Sequence, residues 1–121
     1  MKSYRSILLV LVLMSLTSIS FAQTLLLTHE TTYYGHIKSD QLYLQDDNDY
    51  SIVVHSAPGN FIRVKIEDVS NNYATVVDDL FDGTGPVVLP TMPHDGWYLI
   101  ETINVTTPNT DIVTEYYKGV F

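Results

Sequence analysis

Three residues near the start of the chain could bind a zinc ion, since imidazole and carboxylate groups are common zinc ligands. They are His29, Glu30 and His36. The residues between the two histidines favour a strand. Positions 29 and 36 differ by an odd number, so a regular strand would point these side chains to opposite faces. We therefore interpret both histidines as surface residues and predict no metal cofactor.

Two acidic clusters offer the oxygen ligands that calcium prefers. The weak calcium candidates are Asp46, Asp47 and Asp49, and a second cluster comprises Asp78, Asp79 and Asp82. Neither follows the spacing of a helix-loop-helix calcium site, in which a glutamate closes the loop. A solvated polar turn is the simpler interpretation of the first cluster, and calcium binding stays open as the alternative.

A hydrolase would need a nucleophile beside a base, and the serines after residue 22 lie in no motif of that kind. They are Ser39, Ser51, Ser56 and Ser70. Serine, histidine and aspartate occur together by chance in most chains of this length. The sequence therefore predicts no catalytic residue, and a small hydrolase ranks third among the possible functions.

Pairs of adjacent aromatic residues are the strongest candidates for contact with a partner. The interaction candidates are Tyr33, Tyr34, Trp97, Tyr116 and Tyr117. Neighbouring residues of a strand point to opposite faces, so we expect one member of each pair in the core and one outside. The outer members would form a patch that recognises protein or carbohydrate.

The charge of the chain excludes nucleic acid as a partner. After residue 22, four basic residues stand against fourteen acidic ones, which gives a formal net charge of −10. Nucleic-acid affinity comes mainly from lysine and arginine, which are scarce here. The chain also lacks cysteine, which excludes disulfides, thiol chemistry and thiolate metal sites.

Residues 1–22 have the three parts of a cleaved signal peptide. Lys2 and Arg5 precede an apolar run, and small residues occupy the positions one and three before Gln23. The alternative is a retained membrane anchor, but about ten apolar residues extend only about 15 Å as a helix, half of a hydrocarbon core. We predict a secreted, periplasmic or cell-surface protein with no membrane span after residue 22.

The rest of the chain consists of short β-rich runs separated by turn residues, which predicts an all-β fold. In the run 61–67, Ile62, Val64 and Ile66 alternate with polar residues, so one face is buried. The run 97–100 is apolar on both faces, which is typical of a central strand. The predicted core comprises Ile62, Val64, Ile66, Leu89, Tyr98 and Ile100. We predict one antiparallel β-sandwich over residues 23–121, with seven to nine strands.

Several elements between Ser51 and the end of the chain resemble a family of short secreted Ig-like β-sandwich proteins from Bacteroidetes. They are the Gly-x-Tyr-x-Ile step at Gly96, Tyr98 and Ile100, and the closing Gly-x-Phe at Gly119 and Phe121. The resemblance implies an Ig-like sandwich. It implies no particular chemistry, and it carries no functional residue over to this chain.

These observations favour an exported, non-enzymatic binding or assembly module. It would contact a protein or glycan through a sheet face, or through an edge strand by β-augmentation. The run Asp111–Phe121 is the predicted edge. The alternative is an exported inhibitor that presents a loop, for which residues Asp82–Pro90 are the candidate.

Overall fold

A computed structural model describes residues 23–106 and 108–121, so the predicted signal peptide lies outside the described residues. The described chain forms eight strands and one short 3-10 helix, Val69–Asn71. The strands are β1 Thr24–Thr31, β2 Ile37–Leu44, β3 Tyr50–His55, β4 Phe61–Asp68, β5 Ala74–Asp82, β6 Val87–Val88, β7 Gly96–Asn104 and β8 Ile112–Lys118. This part of the chain contains no helix long and apolar enough to cross a lipid bilayer.

The strands form two four-stranded sheets that pack face to face as a β-sandwich. The first sheet has the order β1-β8-β3-β6 and the second has the order β2-β7-β4-β5. All neighbouring strands are antiparallel. The prediction of an all-β sandwich with seven to nine strands is confirmed, while the finer Ig-like assignment stays a prediction.

The core between the sheets follows the predicted alternation. Ile62, Val64 and Ile66 on β4 are buried, and Arg63 on the same strand faces solvent. All six predicted core residues are buried: Ile62, Val64, Ile66, Leu89, Tyr98 and Ile100. Leu44, Ile52, Phe81, Met92 and Ile112 complete much of the same cluster.

Strand β7 lies between β2 and β4, which confirms the prediction that residues 97–100 belong to a central strand. Its inward residues Tyr98 and Ile100 are buried. Trp97 points to the opposite face, and about half of its surface is exposed. The second sheet therefore carries an aromatic residue on its outer face.

The residues between His29 and His36, which the sequence predicts as strand, do not form one continuous strand. Strand β1 ends at Thr31, and a turn follows in which the His36 amide donates to the Tyr33 carbonyl. Gly35 has a φ of 84°, a left-handed conformation that glycine adopts at little cost. A strong strand propensity at Tyr33 and Tyr34 is therefore overridden by the turn.

Two predictions about edges and loops are wrong. The C-terminal run forms β8, which lies between β1 and β3 and has both of its edges paired. It offers no edge for β-augmentation. Within Asp82–Pro90, β6 pairs with β3 and Leu89 is buried. Only residues 83–86 project as a loop.

Candidate functional site

The histidine at position 29 is part of a polar network between the two sheets. Its Nδ1 atom lies 2.7 Å from the Thr102 hydroxyl and its Nε2 atom lies 2.7 Å from an Asp40 carboxylate oxygen. The Thr102 hydroxyl is also hydrogen-bonded to the Tyr116 hydroxyl. The prediction that His29 is a surface residue is wrong, because β1 turns this side chain inward and leaves it 2% exposed.

Asp40 contacts His29, and His29 contacts Thr102. A carboxylate, a base and a hydroxyl in this order are the groups that activate a hydroxyl nucleophile. Thr102 is fully buried, so no substrate atom reaches its hydroxyl. The Tyr116 hydroxyl occupies the remaining space beside it, and burial raises the pKa of Tyr116 far above its ordinary value. This network therefore links the two sheets through hydrogen bonds, and its hydroxyl is out of reach of a substrate.

A second histidine lies at the end of the sandwich where β2, β4 and β8 end. His94 contacts the Asp68 carboxylate through Nε2, and its Nδ1 lies 2.8 Å from the Asp95 carbonyl. The Ser70 hydroxyl donates to Asp68 at 3.0 Å and is 3.4 Å from His94 Nε2. Because both ring nitrogens of His94 already have partners, this histidine is poorly placed to activate Ser70 as a nucleophile.

The charge states of this pair follow from their contacts. The hydrogen bond with the Asp95 carbonyl, followed by that with Asp68, raises the pKa of His94 above its ordinary value of 6.5. Burial alone would raise the pKa of Asp68, but hydrogen bonds from His94 and Ser70 outweigh it and lower that pKa below 3.8. His94 and Asp68 therefore form an ion pair at mildly acidic pH.

The first acidic cluster includes one residue other than those predicted. Asp46 and Asp47 in the β2–β3 loop approach Asp95, which precedes β7, and their carboxylate oxygens lie within 4.8 Å of one another. Asp49 is not part of this group. The charge of Asp95 is the main cause of a raised pKa at Asp46, so these carboxylates repel one another. We call the two loops that carry Asp46, Asp47 and Asp95 the acidic loops.

The second acidic cluster does not converge on one point. Asp78 accepts two hydrogen bonds of 2.7 Å from the Arg63 guanidinium on the outer face of the second sheet. Asp82 accepts hydrogen bonds from the amide and hydroxyl of Thr84 in the β5–β6 turn. These carboxylates already have partners within the chain.

An aromatic patch lies on the outer face of the second sheet, beside the acidic loops. Tyr43 and Trp97 are cross-strand neighbours on β2 and β7, with ring centroids 5.7 Å apart in an edge-to-face arrangement. They are 54% and 53% exposed. Leu99 continues the same face two residues further along β7. We call Tyr43, Trp97 and Leu99 the aromatic patch.

Further carboxylates lie on strands β4 and β7, next to the Leu99 end of the aromatic patch. Glu67 is the cross-strand neighbour of Leu99, and Glu101 follows on β7 opposite Lys65. Burial, followed by a hydrogen bond with Glu67, raises the pKa of Glu101. The aromatic patch is therefore bordered by acidic groups both in the loops and along the strands.

The other predicted interaction residues lie elsewhere. Tyr33 and Tyr34 are both exposed in the β1–β2 turn, so the expectation of one inner and one outer member is wrong for this pair. Tyr116 is buried and offers no contact surface. Tyr117, on strand β8 of the first sheet, packs edge-to-face on Phe121. The sequence analysis missed Tyr43, whose alternation with Leu42 and Leu44 on β2 indicated an outward position.

Comparisons with known proteins establish the fold but no family. No protein-family model matches the chain, and no curated protein matches it. Among solved structures, it is similar to PliG of Aeromonas hydrophila, a periplasmic inhibitor of g-type lysozyme, with a TM-score of 0.53. The sequences are 12% identical, and the similarity covers 83% of this chain and 87% of PliG.

Proposed function

We propose that this chain is a non-enzymatic binding module that works outside the cytoplasm and contacts a protein through the outer face of the second sheet. The observation that carries the proposal is the aromatic patch. Tyr43 and Trp97 contact each other across two strands, yet half of each side chain faces solvent. Tyrosine and tryptophan are enriched where proteins bind one another, since they bury large areas with few rotatable bonds.

The polar clusters support binding rather than catalysis. In the network around His29, the His29 ring and the Thr102 hydroxyl are buried between the sheets and only Asp40 is exposed, while both ring nitrogens of His94 are occupied. Rigid strands hold the aromatic patch, because Tyr43 and Trp97 belong to a fully paired register between β2 and β7. A pre-organised surface of this kind loses little conformational entropy when it binds a partner.

Inhibition of a cell-wall hydrolase is a second candidate function. It is favoured by the structural similarity to PliG, an inhibitor of g-type lysozyme from the periplasm. A negatively charged chain would also attract a positively charged enzyme over a distance of several ångströms. The loop at residues 83–86 and the acidic loops are the segments we propose to contact such an enzyme.

The binding function is tested by capture from periplasmic extract and culture medium of the source organism. The immobilised protein comprises residues 23–121, and the matched control carries Tyr43→Ala and Trp97→Ala. We expect at least one protein to bind the wild type and to be lost from the variant. Identical capture by both proteins would contradict a role for this face, and retention of glycans alone would contradict a protein partner.

The inhibitor candidate is tested with a purified g-type lysozyme and a suspension of cell-wall peptidoglycan. If the chain is such an inhibitor, the rate at which turbidity falls decreases saturably as the chain is added. A c-type lysozyme in the same assay measures selectivity between the two enzyme classes. Unchanged lysis at a large molar excess of the chain would exclude inhibition of that enzyme.

A further inference from the structure

We propose that the aromatic patch and the acidic loops together bind an arginine-bearing segment of the protein partner. The inference rests on the proposed function and adds the chemistry of the partner at that same surface. It joins two observations: a solvent-facing aromatic pair, and a group of three exposed carboxylates in the adjoining loops that belong to none of the described ion pairs.

The two features are adjacent because of the strand register. Tyr43 pairs with Trp97 at the end of β2 and at the beginning of β7. Asp46 follows Tyr43 by three residues, and Asp95 precedes Trp97 by two. The Asp46 amide donates to an Asp95 carboxylate oxygen at 2.8 Å, which joins the two loops. The carboxylates therefore lie in the two loops that adjoin the Tyr43–Trp97 end of the strand pair.

None of the described ion pairs includes a carboxylate of the acidic loops. One basic group lies beside them: His94 contacts the Asp95 carbonyl, which is the main cause of its raised pKa, and the charge of Asp46 contributes to that rise. His94 is already paired with Asp68, so no lysine or arginine balances the three carboxylates among these ion pairs. The basic residues of this part of the chain are Lys38, Arg63, Lys65 and Lys118. Lys65 lies opposite Glu101, and Lys118 belongs to the first sheet. Because Asp95 raises the pKa of Asp46 by repulsion, a cation supplied from outside would be stabilised here.

The combination of aromatic rings with carboxylates favours a guanidinium group. A guanidinium is planar, stacks on the face of tryptophan or tyrosine, and donates paired hydrogen bonds to carboxylates. A lysine ammonium is a compact and strongly hydrated charge that gains less from an aromatic face. The formal charge of −10 on residues 23–121 adds a long-range attraction to any basic partner.

Trp97 makes a direct measurement possible, because it is the single tryptophan of the chain. The probe is a short glycine-arginine repeat peptide, titrated at low ionic strength while the fluorescence of Trp97 is recorded. The matched control peptide has citrulline in place of arginine, which keeps the shape and removes the charge. We expect a saturable change with the arginine peptide and none with the citrulline peptide.

Variants then separate this surface from general charge attraction. Asp46→Asn with Asp47→Asn removes two charges beside the aromatic patch, and we expect the affinity for the arginine peptide to fall about fivefold. Glu30→Gln with Asp111→Asn removes the same charge from exposed positions near the opposite end of the sandwich. This control should bind as the wild type does.

Two results would overturn the inference. One is equal weakening in both double variants, which would show that bulk charge alone attracts the peptide. The other is the absence of any saturable response, or a response to oligosaccharides of N-acetylglucosamine in place of the peptide. If capture of a partner protein still depended on Tyr43, the proposed binding function would stand and only its arginine chemistry would fail.

Discussion

The region around His29 and the region around Trp97 contain similar groups, namely aromatic rings beside carboxylates and hydroxyls. In the first region the Thr102 hydroxyl and both nitrogens of His29 have partners, and these two side chains are buried between the sheets. In the second region the rings face solvent and the nearby carboxylates repel one another. The difference teaches that similar residue types can form a buried structural network in one place and an accessible surface in another, and it is the accessible one that we propose as the binding surface.

The largest effect is expected from truncating the shared core beneath both regions. Ile66→Ala removes a fully buried side chain of β4 and should lower the free energy of unfolding by about 2–5 kcal/mol. Leu80→Ala is the matched control, because Leu80 is 54% exposed on neighbouring β5. Urea denaturation measures both variants. A small loss at Ile66, equal to that at Leu80, would contradict the assignment of the inner face.

Two threonines of the interior allow a sharper test of the His29 region. Thr102→Val removes the hydroxyl shared by His29 and Tyr116, and should destabilise the protein by about 1–3 kcal/mol because both partners lose a hydrogen bond. Thr114 is also buried, but its hydroxyl has no hydrogen-bond partner among the described residues.

Thr114→Val therefore serves as the matched substitution within the same interior. It should be neutral or stabilising by about 1 kcal/mol, since it removes a polar atom whose burial is not compensated. Thermal unfolding compares the two variants directly. Equal destabilisation by both would mean that the network around His29 contributes nothing beyond packing.

The His94–Asp68 pair predicts a pH dependence at the rim of the sandwich. The contribution of His94 to the free energy of unfolding is complete below pH 6.5. It is lost as the pH rises through the raised pKa of His94 in the folded state. The contribution of Asp68 to the free energy of unfolding is present above pH 3.8. It is lost as the pH falls through the lowered pKa of Asp68 in the folded state.

The difference in Tm between the wild type and Asp68→Asn should therefore be widest between pH 3.8 and pH 6.5. Thermal scans from pH 3 to pH 9 measure this difference. The His94 pKa, followed by NMR, should fall in the variant. A difference in Tm that stays constant over the whole range would attribute the effect of Asp68 to packing alone.

The smallest effect on stability is expected at the aromatic patch. Trp97→Ala and Tyr43→Ala should each change the free energy of unfolding by less than about 1 kcal/mol, because half of each side chain is already exposed. Binding of the partner should nevertheless be reduced strongly. A loss of stability as large as that of Ile66→Ala would instead make these rings part of the structural core.

Much of the fold was predictable because alternation along a strand reports directly on burial. The alternation of Ile62, Val64 and Ile66 with polar residues was enough to assign the inner face of β4. The position of β8 was not predictable, since strand order depends on pairing between distant segments. The turn at Gly35 was also missed, because neighbouring tyrosines have strong strand propensity.

The candidate site was less predictable than the fold. Asp46 and Asp47 were singled out, but their approach to Asp95 depends on the pairing of β2 with β7. The aromatic patch was half identified through Trp97, whereas Tyr43 has no aromatic neighbour in the sequence. Contacts between strands leave no signal in the local spacing of residues. The members of such a site lie far apart in the sequence, so the sequence alone does not indicate that they meet.

The central position of β8 has a consequence for how the chain folds. Strands β1 and β3 have β8 between them, so neither has its main partner until residues 112–118 are available. The pairing of Thr24 with Lys118 joins residues almost a hundred positions apart. Folding rates fall as contact order rises, so this sheet should form slowly and late. A newly made chain should therefore be unable to complete its first sheet until residues 112–118 have emerged.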